Sequence, residues 1–516
     1  MRFGTDFGTT RSVVAAADRG NYPILTVDDA DGDPQDYIPT QIALDEGRIV
    51  AGWDAVRLGE EGLPVARSFK RLLAAPGSTA QTPVRIGEDR VALGDAVTAF
   101  AEHVAGIIRR HPLAADSADE PIRAVVGVPA NAHSGQRLLT LDAFARAGIE
   151  VLALVNEPSA AAFEFTHRYP RGINSKRTSV VVFDLGGGTF DTSMVRVAGT
   201  DHEILRTRGI NQLGGDDFDE VLASLAKRAG GLEHDAMGTR ARARLLDEAR
   251  SAKERIAPQS RRIFLEFGDT DITVPVEAYY EACEGLVERA IGAVGELLGE
   301  EPAEQLAGSE VAGVYLVGGA SGLPLIPRML RERYGRRVHR SPYPAASTAI
   351  GLAIAADPDS GYALRDRIAR GIGVFREHDT GRRVGFDALI EPGTPPDERG
   401  ELVVRRRYRA AHNLGWFRFV EYAALDPAGE PTGDLSPLVE LLVPFDPALR
   451  DADDLRRVPV VRREGGPLVE ETVRIDANGI TSVRVEDLDT GYAVEAEARS
   501  AEERRPRGRR LAAGRG

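Results

Sequence analysis

The chain has 516 residues, of which 42% are hydrophobic and 28% charged, a composition typical of globular proteins with ordinary buried cores. Its single cysteine, Cys283, excludes internal disulfides and multi-cysteine metal sites, and no apolar run approaches the roughly 18 residues of a membrane span. The formal net charge of −14 argues against nucleic acid or a membrane surface as partners of the main body.

Short β-rich runs alternate with helical patterns through the first two thirds of the chain, which favours an α/β architecture with helices packed over sheets. The main predicted elements, in chain order, are helix 92–110, strand 124–128, helix 136–147, strand 179–183, helix 241–256 and strand 313–317. From about Gly373 the pattern changes to strands separated by Pro, Gly and Asp turns. The predicted organisation is an α/β body (1–356), a linker (357–372), a smaller β module (373–498) and a basic tail (499–516).

The tail and the lysines stand out in the charge distribution. Residues 499–516 carry seven arginines against two glutamates, which is typical of a solvated tail; a contact arm for an acidic partner is the alternative. Lysine occurs only at positions 70, 176, 227 and 253, so 61 of the 65 basic residues are arginine. The amino terminus lacks the apolar core of a signal peptide, and we expect a cytoplasmic protein.

One local theme occurs twice in the body. A strand runs into Asp6-Phe7-Gly8-Thr9-Thr10, and a second strand follows. The segment Asp184-Leu185-Gly186-Gly187-Gly188-Thr189-Phe190-Asp191 repeats this order of strand, aspartate, glycine-rich turn, threonine and strand. The repetition predicts a body made of two similar halves.

These turns have the chemistry of a phosphate site. Glycine lets a ligand approach the backbone, consecutive N–H groups form an anion-binding concavity, and threonine hydroxyls donate to phosphate oxygens. Asp6 and Asp184 would repel phosphate, so we expect Mg²⁺ between them and the nucleotide. A single such turn is explained equally well by an ordinary β-hairpin, but the paired occurrence favours a phosphate clamp.

Together these motifs resemble the nucleotide-binding domain of the heat shock protein 70 (Hsp70) chaperone family, which has the actin-like ATPase fold. The matching segments run in order along the body: the phosphate turns 6–12 and 184–191, the small-residue helices 155–162 and 345–353, the adenosine segment 314–324, and the motifs 127–137 and 213–219. The resemblance implies a two-lobed ATPase domain followed by a β-sandwich.

The resemblance also assigns roles by position. It makes Lys70, Glu157, Asp184 and Thr189 the catalytic set for in-line attack of water on the γ-phosphate of ATP. The implied metal residues are Asp6, Asp184 and Asp191, for Mg²⁺ and, as a further candidate, K⁺. The implied ATP or ADP contacts are Asp6, Gly8, Thr9, Thr10, Arg11, Gly186, Gly187, Gly188, Thr189, Gly214, Gly215, Lys253, Gly318 and Gly319. A solvated helix lysine is the alternative interpretation of Lys70.

The β module resembles the family's substrate-binding sandwich at 390–395 and 473–485, and its Asn478-Gly479 dipeptide predicts a two-residue hairpin. The implied partners are unfolded or extended polypeptide and co-chaperones. Only 18 residues follow Ala498, at about 1.5 Å each one short helix, so we expect the family's helical lid to be missing and the chain to be a divergent member.

Two departures from the family pattern bear on function. Around the adenine, Glu254 and Gly322 stand at the family's arginine positions, Arg250 at a glutamate and Ala257 at a serine, so we expect weaker or different binding of the base. The linker at 363–366 is less apolar than in the family, so we expect weaker docking of the linker on the body.

Three functions fit these observations. The favoured one is an ATP-hydrolysing, chaperone-like protein of protein folding and the stress response, which couples nucleotide state to the binding of extended polypeptide. Pro129 and Arg137 are predicted to relay that state to the β module. The alternative is an ATP-binding regulatory protein with one dedicated protein partner. A small-molecule kinase ranks last, because the sequence offers no candidate base besides Glu157.

Overall fold

The computed structural model describes residues 1–117, 120–170, 172–210, 212–232, 237–298, 310–365, 368–378, 383–397 and 399–497. The predicted basic tail, 499–516, lies outside the described residues, as do linker residues 366–367. Within the described ranges no helix has both the length and the apolar composition that crossing a membrane requires.

The first lobe surrounds a five-stranded mixed sheet. Its strands and helices are β1 (Arg2–Asp6), β2 (Arg11–Ala17), β3 (Val27–Asp28), β4 (Pro34–Gln35), β5 (Ile38–Pro39), β6 (Gln41–Asp45), β7 (Arg48–Ala51), α1 (Trp53–Glu60), β8 (Val65–Arg67), β9 (Pro83–Ile86), β10 (Asp89–Ala92), α2 (Leu93–Arg110), β11 (Ile122–Val128), α3 (Ser134–Arg146) and β12 (Ile149–Asn156). The strand order is β12-β11-β1-β2-β5, in which β1 and β2 form an antiparallel hairpin and β11 lies parallel to β1.

The second lobe repeats this plan. Its strands and helices are α4 (Glu157–Arg168), β13 (Ser179–Leu185), β14 (Phe190–Ala198), β15 (Asp201–Ile210), α5 (Gly215–Ala229), α6 (Thr239–Glu254), β16 (Arg262–Phe267), β17 (Thr270–Pro275), α7 (Val276–Leu298), β18 (Val311–Val317), α8 (Leu325–Tyr334), β19 (Val338–Arg340), α9 (Ser347–Ala356) and β20 (Ala363–Arg365). The order is β19-β18-β13-β14-β15-β20, with the β13–β14 hairpin beside the parallel strand β18. The predicted internal repetition is therefore a property of the two sheets.

Helices α4 and α9 cross tightly beneath the cleft between the lobes. A Cβ at Gly351 of α9 would overlap the backbone of Ala160 in α4, and a Cβ at Gly4 of β1 would overlap the backbone of α9. Glycine and alanine are required here because larger side chains would separate the helices. The small-residue patterns predicted this close packing.

The carboxy-terminal part is a sandwich of two antiparallel four-stranded sheets. Its strands are β21 (Gly371–His378), β22 (Arg383–Ile390), β23 (Leu402–Arg409), β24 (Leu414–Leu425), β25 (Pro431–Pro444), β26 (Leu468–Ile475), β27 (Thr481–Asp487) and β28 (Tyr492–Glu497). The sheet orders are β22-β21-β24-β25 and β23-β26-β27-β28, and alternate side chains such as Val374, Phe419 and Val485 fill the core between them. The predicted fold class, a two-lobed α/β body followed by a β-sandwich, is confirmed.

One local prediction is wrong, and the predicted linker contains a strand. The β26–β27 connection spans residues 476–480 rather than two residues, because Ile475 pairs with Thr481 and the Asp476 carboxylate accepts hydrogen bonds from two later N–H groups. In the predicted linker, β20 pairs in parallel with β15 as an added edge strand. The weaker docking expected from the low apolarity of this segment stays a prediction.

Candidate functional site

A cavity of about 1480 Å³ opens between the two lobes and collects most of the predicted site residues. Those that line it are Asp6, Gly8, Thr9, Thr10, Arg11, Lys70, Glu157, Asp184, Gly186, Gly187, Thr189, Asp191, Gly215, Lys253, Gly318 and Gly319. Two predicted contacts, Gly188 and Gly214, are not among the lining residues. They pack against each other instead, since a Cβ at Gly214 would overlap the Gly188 backbone.

The two glycine-rich turns face each other across this cavity. A Cβ at Gly187 would overlap the Thr10 side chain, and one at Gly188 would overlap Thr9. The second turn is also fixed to α5, because the Gly215 N–H donates to the Gly186 carbonyl at 2.9 Å. A phosphate chain between the turns would therefore meet backbone and hydroxyl groups of both lobes.

Lys70 is buried at the floor of the cleft, so its interpretation as a solvated helix lysine is wrong. It lies in a short 3₁₀ helix, Phe69–Ala74, and its side chain is 6% exposed. Its Nζ donates to Glu157 Oε1 at 3.0 Å and to the Phe7 carbonyl. Glu157 is the first residue of α4, where a carboxylate is favoured by the helix dipole. An ammonium and a carboxylate are thus held together below the turns.

Two buried carboxylates, Asp184 and Asp191, and the half-buried carboxylate of Asp6 stand beside this pair. Asp184 and Asp191 are cross-strand partners on the second hairpin, and Asp6 ends β1. Burial, followed by repulsion from Glu157, raises the pKa of Asp6 and Asp184 well above the ordinary range and that of Asp191 to about 7. Lys70 offsets only part of this effect, and such a concentration of carboxylates fits a divalent cation.

The spacing of these carboxylates also indicates how a cation would be held. Among the described residues no group of three or more acidic, histidine or cysteine side chains is close enough to form a metal cage directly. Mg²⁺ prefers such an arrangement, because it keeps several waters and takes one or two carboxylates together with nucleotide phosphates. Asp6, Asp184 and Asp191 are the residues that would hold Mg²⁺ here, through its waters.

A network of ion pairs lines the end of the cleft where the sequence motifs predict the adenine base of the nucleotide. Lys253 Nζ lies 2.6 Å from Asp219 Oδ1, and Arg250 lies 3.2 Å from the same carboxylate. Glu254, at a family arginine position, pairs with Arg11 of the first lobe at 2.5 Å. Glu254 thus contacts Arg11 across the cleft, Arg250 pairs within its own lobe, and the predicted nucleotide contacts Arg11 and Lys253 are both engaged with carboxylates.

Sequence reasoning missed two arginines that join the lobes. Arg71 of the first lobe donates to the Gly188 carbonyl at 2.7 Å and lies 3.6 Å from Asp216 of α5. Arg67 pairs with Asp247 of α6. Their only sequence signal is adjacency to Lys70, and it does not reveal partners more than a hundred residues away.

The sandwich rests on the first lobe through buried polar contacts. Ser134, at the start of α3, donates from both its N–H and its hydroxyl to Glu421 of β24. Arg137 Nη2 donates to Asn156 Oδ1 at 2.5 Å, and its Nη1 donates to the Asn478 carbonyl at 3.2 Å. Asn156, which accepts from Arg137, directly precedes Glu157 of the cleft in the chain.

A two-lobed α/β fold with facing glycine-rich turns, converging carboxylates and an attached sandwich defines the class of actin-like nucleotide-binding proteins. The family model described as Hsp70 protein matches residues 104–369. This chain therefore belongs to the Hsp70 family, as the sequence motifs predicted.

Two curated relatives carry the name "Chaperone protein HscA homolog". The relative from Pseudomonas fluorescens strain Pf-5 is 32% identical over 380 residues, and the relative from strain SBW25 is 32% identical over 375 residues. Each match covers 70% of this chain and 58% of the relative, so the chain spans well under two thirds of their length.

Proposed function

We propose that this chain binds and slowly hydrolyses ATP with Mg²⁺, and that nucleotide state controls the binding of unfolded or extended polypeptide by the β-sandwich. The observation that carries the proposal is the buried Lys70–Glu157 pair beneath two facing phosphate turns. The relatives' printed name, chaperone, supports the client-binding half. The domain boundaries at 356, 372 and 498 are part of the same proposal, as is a cytoplasmic site of action.

The chemistry follows from the positions of the side chains. ATP would lie with its phosphates between the turns at Gly8–Thr10 and Gly186–Thr189, held by N–H and hydroxyl donors. Asp6, Asp184 and Asp191 would hold Mg²⁺ through water, and the bound ion would neutralise phosphate charge. Positioning and charge stabilisation supply most of the catalysis of phosphoryl transfer.

Lys70 and Glu157 would act on the reacting groups. Glu157 would orient a water for in-line attack on the γ-phosphorus; the water oxygen forms the new P–O bond as the bond to ADP breaks. The water proton would leave toward the carboxylate, and Lys70 would offset the negative charge that develops on the phosphoryl oxygens. The Phe7 carbonyl and Glu157 fix the Lys70 ammonium, so little reorganisation accompanies the step.

Coupling to the sandwich would run through Asn156 and Arg137. A shift of Glu157 on nucleotide binding moves its neighbour Asn156, whose side chain accepts from Arg137. Arg137 in turn contacts the 476–480 turn of the sandwich. Pro129 lines a small cavity shared by Lys70 of the cleft and Asp434 of the sandwich, which supports the predicted relay role of this proline.

One observation supports a second function, that of a regulatory protein with one dedicated protein partner. The end of the cleft assigned to the base is lined with ion pairs, including Arg11–Glu254, which nucleotide must accommodate. Such a site suits ATP as a slow conformational ligand. A peptide array together with a pull-down separates the two functions. Binding to many apolar segments on the array supports a chaperone, whereas no binding on the array and recovery of a single protein in the pull-down support a regulator.

ATP turnover by Lys70→Ala and Lys70→Arg tests the catalytic part. Both variants should lose about a hundredfold or more in rate, because the first removes the cation and the second places a broad fork in a buried site. Lys176→Ala, an exposed lysine outside the cleft, is the matched control and should keep the wild-type rate. Equal rates above background in all four proteins would remove Lys70 from the mechanism.

The binding of co-chaperones, of K⁺ and of an acidic partner by the tail stays a prediction.

A further inference from the structure

Between β25 and β26 the chain returns along the edge of the sandwich as an extended segment. Its residues 458–463, named here the strap, have the sequence Val-Pro-Val-Val-Arg-Arg. The strap runs antiparallel to the turn that joins β23 to β24. Arg463 N donates to the Ala411 carbonyl at 2.8 Å, and Asn413 N donates to the Val461 carbonyl at 3.0 Å.

Asn413 binds the strap as a neighbouring strand would. Its buried side chain accepts from Val461 N at 2.7 Å through Oδ1 and donates to the Pro459 carbonyl at 3.1 Å through Nδ2. Together with its own N–H, this asparagine satisfies three backbone groups of the strap. Main-chain recognition of this kind gives affinity for an extended polypeptide without reading its side chains.

The apolar side chains of the strap contribute little to holding it. Val460 is 50% exposed and Val461 is 52% exposed. No strap residue belongs to the apolar core of the sandwich within the described chain. A segment held by hydrogen bonds to its backbone and by surface ion pairs can exchange with another extended chain, because little buried apolar surface is lost when it leaves.

Charge fixes the carboxyl end of the strap. Arg462 pairs with Glu377 at 2.7 Å and Arg463 pairs with Asp446 at 2.6 Å. Glu377 also lies 3.0 Å from His412. The strap-binding site, defined as Glu377, Ala411, Asn413 and Asp446, therefore combines backbone partners for an extended chain with two carboxylates for basic side chains.

We propose that the strap is a tethered stand-in for the polypeptide ligand of the sandwich. The strap-binding site takes an extended segment through its backbone and selects arginine side chains through Glu377 and Asp446, and a client gains entry by displacing the strap. This inference rests on the proposed function and specifies its ligand class. It also supplies a reason for selectivity, since a client must offer better pairing than the chain's own segment.

Tethering sets the size of the effect. The strap is tethered by short connections, so it competes with free peptide for the strap-binding site at an effective concentration of about a millimolar. A free peptide must therefore displace it. If the strap is released, the apparent affinity for peptide should rise by roughly 10- to 100-fold. The probe is a fluorescein-labelled octapeptide that copies residues 456–463, Arg-Arg-Val-Pro-Val-Val-Arg-Arg.

A reversible crosslink tests displacement in one protein. His412 and Arg462 form an antiparallel bridge, and such pairs lie about 4.5–5.5 Å apart at Cα, within disulfide range. In His412→Cys/Arg462→Cys, the reduced protein should bind the probe and the oxidised protein at least about tenfold more weakly. Equal affinity in both forms overturns the proposal, whereas ATP turnover would be unaffected.

A release variant and an exchange measurement complete the test. Arg462→Ser/Arg463→Ser removes both ion pairs and should bind the probe at least about tenfold more tightly than wild type. Bound probe should accelerate hydrogen exchange at the Val461 and Arg463 amides, and a copy with glutamate for arginine should bind poorly. If the probe binds and both amides stay protected, the client binds outside the strap-binding site. This result overturns the proposal about the strap but not the proposed function. Failure of all forms to bind any apolar peptide overturns the proposed function as well.

Discussion

Ser134→Ala isolates the contact by which the sandwich docks on the first lobe. The Ser134 hydroxyl donates to Glu421 at 2.5 Å and shares a hydrogen bond with Thr481 at 2.9 Å. Bonds to a charged partner contribute about 1.5–3 kcal/mol and neutral ones about 0.5–1.5 kcal/mol. Removing the hydroxyl should weaken docking by about 2–3 kcal/mol, a shift of roughly 30- to 150-fold in the docking equilibrium.

Fluorescence transfer between dyes on the two parts measures this shift. Asp89→Cys and Ala428→Cys offer exposed attachment points, and the single native cysteine is buried. The Ser134→Ala protein should show a larger undocked population and a weaker response to ATP. Thr140→Ala is the matched control, because this hydroxyl of α3 donates within its own helix to the Gln136 carbonyl. Identical transfer in Ser134→Ala and Thr140→Ala would refute the role of the interface.

Three further predictions address the cleft and the core. Arg67→Ala should release ADP about two- to fivefold faster than wild type, since a half-exposed interlobe pair contributes about 0.2–1 kcal/mol, and high salt should abolish the difference in stopped-flow release. Gly187→Ala should bind ATP at least about tenfold more weakly by calorimetry, because the new methyl overlaps the facing turn, while Gly285→Ala in open space should not. Burial, only partly offset by the Thr200 carbonyl, lowers the pKa of His202 to about 4, below the unfolded value. The unfolded state therefore binds more protons below about pH 6.5, and the free energy of unfolding of the wild type should fall by about 2 kcal/mol between pH 7 and pH 5. Urea titrations should show that His202→Gln does not undergo this loss.

The sequence predicted those parts of the site that are local. Each phosphate turn lies within a few residues of its strand and its aspartate, so spacing alone identified Asp6, Thr10 and Gly187. The tight crossing of α4 and α9 was predictable for the same reason, since alanine and glycine recur at helical spacing. Lys70 was recognised through its rarity and its motif.

Contacts between distant segments could not be read in this way. Ser134 and Glu421 are 287 residues apart, and nothing beside either residue indicates its partner. The ion pairs of Arg67 and Arg71 depend on how far the lobes close, a property of the whole fold. The same is true of the strap, because Asn413 resembles any loop asparagine until the returning chain is placed beside it.

The most direct test of the proposed coupling is the rate at which a pre-bound fluorescent apolar peptide leaves the full chain after addition of nucleotide. ATP with Mg²⁺ should accelerate release relative to ADP, and omission of Mg²⁺ should remove the acceleration, because the carboxylates of Asp6, Asp184 and Asp191 engage phosphate only through a cation. Release at one rate with ATP, with ADP and without nucleotide would contradict the account.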